Sequence, residues 1–283
     1  MSATATTIND LTMREFNIVS TMVKDLCGIN LHDGKKELVK ARLVKRMHEL
    51  RMDRFSQYID HITSESGQAE ILPMLDALST NLTFFFREMP HFDLLASQVV
   101  PEMMARHATD RRLRIWSAGC SSGDEPYSIA IVLKQVIAAR PAWDARVLAT
   151  DLSRRMLAVA NRGIYVAERL RQTPPRVTAE YFTCQRGKEG KLYQVNESVR
   201  QMVSFSYLNL MEPWPMHGPF DAIFCRNVMI YFDKATQGRL AERFWDLLTP
   251  GGILFIGHSE TPRTVSRYRT LTASVCGFIL SCF

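Results

Sequence analysis

Residues 112–128 read RLRIWSAGCSSGDEPYS. RLRIWSAG (112–119) is a short apolar run ending in small residues, which predicts a buried strand. EPYSIAIVLKQVIAA (125–139) follows with the pattern of a helix. Gly119 and Gly123 stand where the strand ends and the helix begins. Glycines there adopt positive φ and let a ligand approach the backbone. The helix N-terminus adds unpaired N–H groups suited to a polar or anionic ligand. Ligands of open α/β sheets bind at this end of the strands.

The same alternation continues outward. RVLATDLS (146–153) reads as a second strand and turn, and SRRMLAVANRG (153–163) as a helix with Ser153 as N-cap and Gly163 as stop. FDAIFCRNV (220–228) and GGILFIGHS (251–259) read as buried strands with the helix KATQGRLAERFWDLLTP (234–250) between them. Strands alternating with helices predict an α/β domain whose parallel sheet is covered on both faces. YRTLTASVCGFILSCF (268–283) predicts a terminal antiparallel hairpin. Residues 164–201 break the alternation: TPP at 173–175 and QRGKEG at 185–190, with YFTC and LYQV flanking the latter, predict a small antiparallel insertion.

Upstream, residues 8–78 predict a helical bundle. In DLTMREFNIVSTMVKDLCGI (10–29), Leu11, Phe16, Val19, Val23 and Leu26 recur near a 3.6-residue period. In KKELVKARLVKRMHELRM (35–52), Val39, Leu43, Met47 and Leu50 form one stripe. LHDG (31–34) marks the turn between them, and FSQYIDHI (55–62) and EILPMLDALS (70–79) supply two further helices. The expected organisation is a helical domain over 1–78, an interdomain linker over 79–100, and a catalytic domain over 101–283 with the insertion near 164–201.

Composition narrows the class. With 46% hydrophobic and 23% charged residues, the 283-residue chain is a globular protein with enough sequence for a sizeable core. No apolar run reaches 18 residues, and the N-terminus lacks a signal-peptide pattern, so a cytoplasmic protein without membrane insertion is expected. The six cysteines are scattered, with no CxxC pair or Cys/His cluster, so reduced thiols and no metal are expected. The net charge of +6 invites a nucleic-acid reading, but its distribution is uneven. Residues 1–90 carry 11 basic and 12 acidic side chains, while residues 35–54 alone carry eight basic and three acidic.

The second strand ends in Asp151, where an acidic residue binds ribose hydroxyls of an adenosine-type ligand or caps the next helix. Glycines and acid together leave a dinucleotide and S-adenosylmethionine open. The segment GCSSGDE separates them: it is not GxGxxG, and Asp124 and Glu125 would repel a pyrophosphate but not an ammonium.

Four segments carry a family resemblance: TNLTFFFRE (80–88), WSAGCSSGDEPYSIA (116–130), FDAIFCRNVMIYFD (220–233) and GGILFIGHSE (251–260). In order and spacing the chain resembles the chemotaxis receptor methyltransferases (CheR) over nearly its whole length. The resemblance implies a class I, Rossmann-like S-adenosylmethionine-dependent methyltransferase domain with a small antiparallel β-subdomain, preceded by an all-α N-terminal domain. It implies transfer of a methyl group from S-adenosyl-L-methionine to glutamates of chemoreceptor cytoplasmic domains, leaving glutamate methyl esters and S-adenosyl-L-homocysteine.

By motif position, Asn81, Thr83 and Arg87 resemble the family's cofactor contacts from the linker. Glu125, Asp151, Asn209, Leu210, Arg226 and Asn227 resemble those of the sheet domain. Arg87 and Tyr231 are expected nearest the methyl group and the acceptor carboxylate, and His258 is expected to be structural or pocket-lining. An acceptor glutamate is ionised at neutral pH and needs no general base, which fits the absence of a His/Asp dyad. Arg42, Lys45 and Arg46 are expected on the exposed side of the second helix, as a docking face for the acidic helical bundle of a receptor's cytoplasmic domain. The loop CQRGKEGK (184–191) is short for members that bind a C-terminal receptor pentapeptide, so no dependence on one is expected. A nucleic-acid methyltransferase of the same fold would instead need a basic groove and stacking aromatics, for which only Phe84, Phe85 and Phe86 could be cited. No nucleic-acid partner is expected.

Overall fold

The structure is a computed structural model that describes residues 9–138, 143–187, 190–258 and 260, together with the backbone of 268–272 and 279–282. The chain divides into a helical unit running to Thr80, which Tyr231–Asp233 joins, and a sheet unit of Asn81–Ile230 and the chain from Lys234 on.

The helical unit contains α1 (Met13–Cys27), α2 (Lys36–Glu49), α3 (Phe55–Thr63) and α4 (Gln68–Leu78). Helix α1 starts at a capping box, in which Thr12 Oγ1 accepts from Glu15 N at 3.2 Å and the Glu15 carboxylate accepts from Thr12 N at 2.8 Å. It stops at Gly28, whose φ of 77° suits glycine. Phe16, Val19, Val23 and Cys27 are buried on α1, but Leu26 is 38% exposed. The expectation for Leu26 is corrected: from Val23 the next full turn lands on Cys27, and Leu26 faces about 100° away from it. Val39, Leu43 and Met47 are buried on α2 as expected, Leu50 half-buried at its end.

The exposure expected of Arg42 and Arg46 also needs correction, because both are half-buried. Arg42 donates to the carbonyls of Leu78 and Ser79 at 2.5 and 3.0 Å and to Thr80 Oγ1 at 3.0 Å. Arg46 forms a forked pair with the buried Glu70 at 2.9 and 2.7 Å and also contacts Glu49. The Tyr58 hydroxyl donates to the same Glu70 carboxylate at 3.0 Å. An arginine on the flank of an apolar stripe lays its stem along the core and spends its head on buried acceptors. Lys45 is exposed.

The sheet unit opens with α5 (Met89–Leu94), a π-helical stretch (Leu95–Val99) and α6 (Val100–Arg106) in continuous succession. Then follow β1 (Arg112–Ala118), α7 (Asp124–Ile137), β2 (Asp144–Asp151) and α8 (Arg154–Arg162). Ser153 caps α8 by accepting from Met156 N at 3.1 Å, and Gly163 ends it at φ 64°. Next come β3 (Ile164–Val166), α9 (Pro175–Tyr181), β4 (Phe182–Gly187), β5 (Gly190–Val195), α10 (Glu197–Arg200) and β6 (Val203–Tyr207). The chain continues through β7 (Phe220–Cys225), α11 (Lys234–Trp245), β8 (Leu248–Ile256), β9 (Tyr268–Thr272) and β10 (Ile279–Cys282).

Seven strands form one sheet in the order β6-β2-β1-β7-β8-β10-β9. The first five are mutually parallel, and β10 runs antiparallel to both β8 and β9. The insertion forms a separate antiparallel sheet, β3-β5-β4. The α/β architecture, antiparallel insertion and terminal hairpin expected from the sequence are all present. Every residue of β7 is buried, as both faces of the sheet are covered. On one face Leu113, Ile115, Ala222 and Phe224 join a core with Phe92, Leu95 and Ile129. On the other, Trp116 packs edge-on against Phe244 of α11 and Trp214, with ring centres 5.2 and 4.9 Å away.

Candidate cofactor site at the strand ends

Strand β1 lies between β2 and β7, so the strand order reverses direction there. A crevice at the carboxyl ends of the strands is the topological consequence. The turn after β1 is built for close approach. Gly119 has φ +84°, and a Cβ there would lie 2.4 Å from Val228 Cγ2. Gly123 has φ +90°, and a Cβ there would lie 2.8 Å from the Ala160 Cβ. Gly119 N and Cys120 N both donate to Thr150 O, at 2.8 and 2.9 Å, which pins the turn to the end of β2.

Asp151 is buried at that end. Its two carboxylate oxygens accept from Ser121 N at 2.7 Å and Ser153 N at 2.8 Å. Ser153, not Asp151, caps α8, so the carboxylate of Asp151 belongs to the turn rather than to the helix. Glu125 sits in the first turn of α7, accepting from Ser117 Oγ at 2.8 Å and from Arg226 at 3.0 Å. Burial pushes the Glu125 carboxyl above its ordinary value, against the opposing pull of Arg226 and Ser117. Asp124 points elsewhere: its carboxylate accepts from Ser122 Oγ at 2.6 Å and lies 3.6 Å from Arg169. The sign argument against a pyrophosphate therefore rests on Glu125 alone.

Arg226 ties three segments together. Besides Glu125 it donates to the Glu88 carboxylate at 2.9 Å and to Arg87 O at 2.5 Å, from a nearly fully buried side chain. Against the burial that would raise it, Arg226 holds the Glu88 carboxyl below the usual range. Asn227, at φ 59°, donates from its side chain to Glu88 at 3.3 Å and from its backbone to Glu260 at 3.0 Å. Glu260 also accepts from Gly257 N at 2.6 Å and Ile230 N at 3.1 Å. Phe86, Glu88, Ser121 and Asn227 are all non-glycine residues at positive φ. Backbone of this kind costs on the order of 1–3 kcal/mol per residue and persists only where neighbours over-determine it.

The linker residues line up on this frame. Asn81 O accepts from Ser121 Oγ at 3.1 Å, and Thr83 O accepts from Arg169. The Arg87 guanidinium donates to Leu82 O at 2.8 Å and lies over the Phe84 ring. Asn209 and Leu210 follow β6, where Leu208 N donates to Asp151 O at 3.1 Å. Asn209 is buried and orders its own turn, accepting from Met211 N at 3.0 Å. Asn81, Thr83, Arg87, Glu125, Asp151, Asn209, Leu210, Arg226 and Asn227 thus share one connected set of loops. Tyr231 belongs to the helical unit, where its carbonyl accepts from Asn30 N at 2.8 Å. His258 is exposed, with its ring against buried His91, whose pKa burial and then Arg226 push down to about 3.

The donor set fits S-adenosylmethionine. Glu125 and Asp151 are acceptors suited to an ammonium and to ribose hydroxyls, and the glycine turn leaves room for backbone contact. Arg226 is already held by two carboxylates and does not offer a phosphate site. Residues 81–275 match the family described as CheR methyltransferase, SAM binding domain, and residues 14–79 match CheR methyltransferase, all-alpha domain. The chain belongs to the CheR methyltransferase family. It is 43% identical over 252 residues to chemotaxis protein methyltransferase 2 of Pseudomonas aeruginosa, covering 88% of this chain and 87% of that protein. It is 40% identical over 260 residues to the chemotaxis protein methyltransferase of Escherichia coli, covering 90% and 87%. This CheR methyltransferase is therefore an S-adenosylmethionine-dependent protein-glutamate O-methyltransferase of chemoreceptors, as the resemblance implied. Among its described residues, no helix is long and apolar enough to cross a membrane.

Four residues of this CheR site were not singled out from the sequence. Glu88 and Glu260 end two of the quoted segments, and that placement was their only signal. Ser117 lies on the strand facing Glu125, and Arg169 comes from the insertion with no sequence signal.

Proposed function

We propose that Glu125 and Asp151 hold S-adenosylmethionine by its ammonium and its ribose hydroxyls. Asn81, Thr83, Arg87, Asn209, Leu210, Arg226 and Asn227 complete the contacts. The observation that supports this most is the half-buried Glu125 carboxylate, fixed by Ser117 and Arg226 at the switch point of the sheet. When bound, the cofactor supplies an electrophilic methyl group on a sulfonium. An oxygen of the receptor glutamate bonds to the methyl carbon as the carbon–sulfur bond breaks, and the electron pair stays on sulfur. The acceptor is already ionised, so the protein moves no proton. Charge is neutralised along the path, so alignment and partial desolvation of the acceptor are the main demands. Arg87 and Tyr231 supply the alignment, the first by forked hydrogen bonds and the second by its hydroxyl. Support for their roles is residue type and membership in the segments TNLTFFFRE and RNVMIYF.

The receptor's acidic cytoplasmic bundle docks on the basic helix α2, on the cytoplasmic side of the membrane. Exposed Lys45 leads this face, with Arg42 beside it and Arg46 already partnered by Glu49 and Glu70. The small sheet does not tether a receptor pentapeptide. Strands β4 and β5 pair as far as Gly187 and Gly190, so their connection is short, and its residues 188–189 lie outside the described residues.

The test is incubation of the enzyme with methyl-labelled cofactor and receptor signalling fragments, with and without their C-terminal tails. Base-labile label at equal rates on both fragments is expected. Base-stable label would overturn the carboxyl acceptor, and a rate that depends on the tail would overturn untethered docking.

A further inference from the structure

We propose that Glu88, His91 and His258 form a binding site for a divalent ion of the zinc class. One carboxylate oxygen and one ring nitrogen from each histidine lie within 4.8 Å of one another. The His91 Nδ1 to Glu88 Oε2 separation is 3.5 Å. Two donors bound tetrahedrally to zinc at about 2.0–2.2 Å stand roughly 3.4 Å apart, so this pair needs no rearrangement to share an ion.

The second observation is independent of that spacing. The His91 side chain is 0% exposed, and neither of its ring nitrogens has a hydrogen-bond partner. A buried imidazole with both nitrogens unsatisfied is costly unless something binds it. The rings of Phe255 and His258 lie edge-on to it, with centres 5.7 and 5.3 Å away. Phe255 offers no acceptor or donor. His258 is exposed, so it can close over an ion arriving from solvent.

The Glu88 carboxylate supplies the negative charge of the ligand set, and the Arg226 beside it is already paired with Glu88 and Glu125. The donor set decides the class of ion. Two imidazoles and one carboxylate suit zinc, nickel or copper, whereas magnesium and calcium prefer oxygen ligands throughout. Three protein ligands leave one position open. Glu88 also holds Arg226 and Asn227, which are assigned to S-adenosylmethionine, but the three donors themselves are not among those contacts and the proposal does not depend on that assignment. It departs from the sequence expectation of no metal, which considered cysteine spacing and missed two histidines far apart in the chain.

The test is competition for zinc between the full chain and a chromophoric chelator. The wild-type chain is expected to retain one equivalent of zinc. H258A, at an exposed position, keeps the fold by circular dichroism and weakens zinc binding at least about 10-fold, the loss seen even for outer partners of metal ligands. C184S removes the one thiol exposed among the described residues and should bind as the wild type does. Failure of the wild type to compete, wild-type affinity in H258A, or loss of zinc in C184S would each overturn the site.

Discussion

In the proposed role, Glu125 carries both the binding chemistry and its pH dependence. Only the ionised carboxylate attracts an ammonium, and burial makes ionisation harder than in a free side chain. As pH falls, Glu125 of the ligand-free protein therefore takes up its proton at a higher pH than an ordinary glutamate. Affinity for S-adenosylhomocysteine, which keeps the ammonium, should therefore begin to decline at a higher pH than an ordinary glutamate would allow. E125Q should lose about 1.5–3 kcal/mol of binding at neutral pH, and its affinity should vary less with pH. Calorimetric titration of both proteins across pH checks this; an unchanged profile in E125Q would refute the role. Glu125 and Asp151 were legible in the sequence because a strand end followed by glycines and an acid is a local pattern. The service of Glu88 and Glu260 was not legible. A glutamate that fixes a distant arginine or three backbone amides looks like any other until the chain folds.

At the scale of elements, the segment 81–88 is the part most dependent on its surroundings. It contains two non-glycine residues at positive φ, Phe86 and Glu88. Phe85 anchors it, fully buried and edge-on to Tyr165 and Phe182 of the insertion, with ring centres 4.9 and 5.0 Å away. Phe85 N also donates to Arg169 O at 3.2 Å, and Phe86 N to Ser128 Oγ at 3.0 Å. The antiparallel insertion thus anchors the segment 81–88. F85A should destabilise the sheet unit by about 3–5 kcal/mol through the cavity it leaves. It should also weaken S-adenosylhomocysteine binding, because Asn81, Thr83 and Arg87 lose their anchor. Denaturant unfolding and calorimetry on one preparation check both, and a stable variant with normal affinity would show the anchor to be dispensable. Helices α1, α2, α7 and α8 were readable from periodicity and caps. The π-helical stretch at 95–99 was not, since no residue in LASQV signals it.

For the whole molecule, the distribution of charge matters more than the total of +6. The first 90 residues are nearly neutral, yet α2 and its flanks gather eight basic side chains over residues 35–54. Docking of an acidic bundle there should be sensitive to salt, because the screening length falls from about 10 Å at 0.1 M to about 3 Å at 1 M. Receptor methylation at low substrate should fall as salt rises, while affinity for S-adenosylhomocysteine changes little. K45E should lower kcat/KM for receptor about 5-fold, from roughly 1 kcal/mol for an exposed ion pair. Initial rates across salt for wild type and K45E check this. Equal rates in both would remove Lys45 from the docking face.

The sequence by itself determined the α/β alternation, the helical bundle before it, the glycine turn after β1 and the acids beside it. These follow from patterns within a turn or a strand, where steric preference and hydrophobic period act locally. Tertiary structure alone decided which charged side chains are free to act. Arg46 and Arg42 stand on the same helix as Lys45, but Glu70 and the carbonyls of Leu78 and Ser79 reach only the first two. Arg226 is one arginine among many in the chain until Glu88 and Glu125 close on it from separate segments. The partners of a buried charge come from wherever the fold brings them, and short-range sequence pattern holds no record of that.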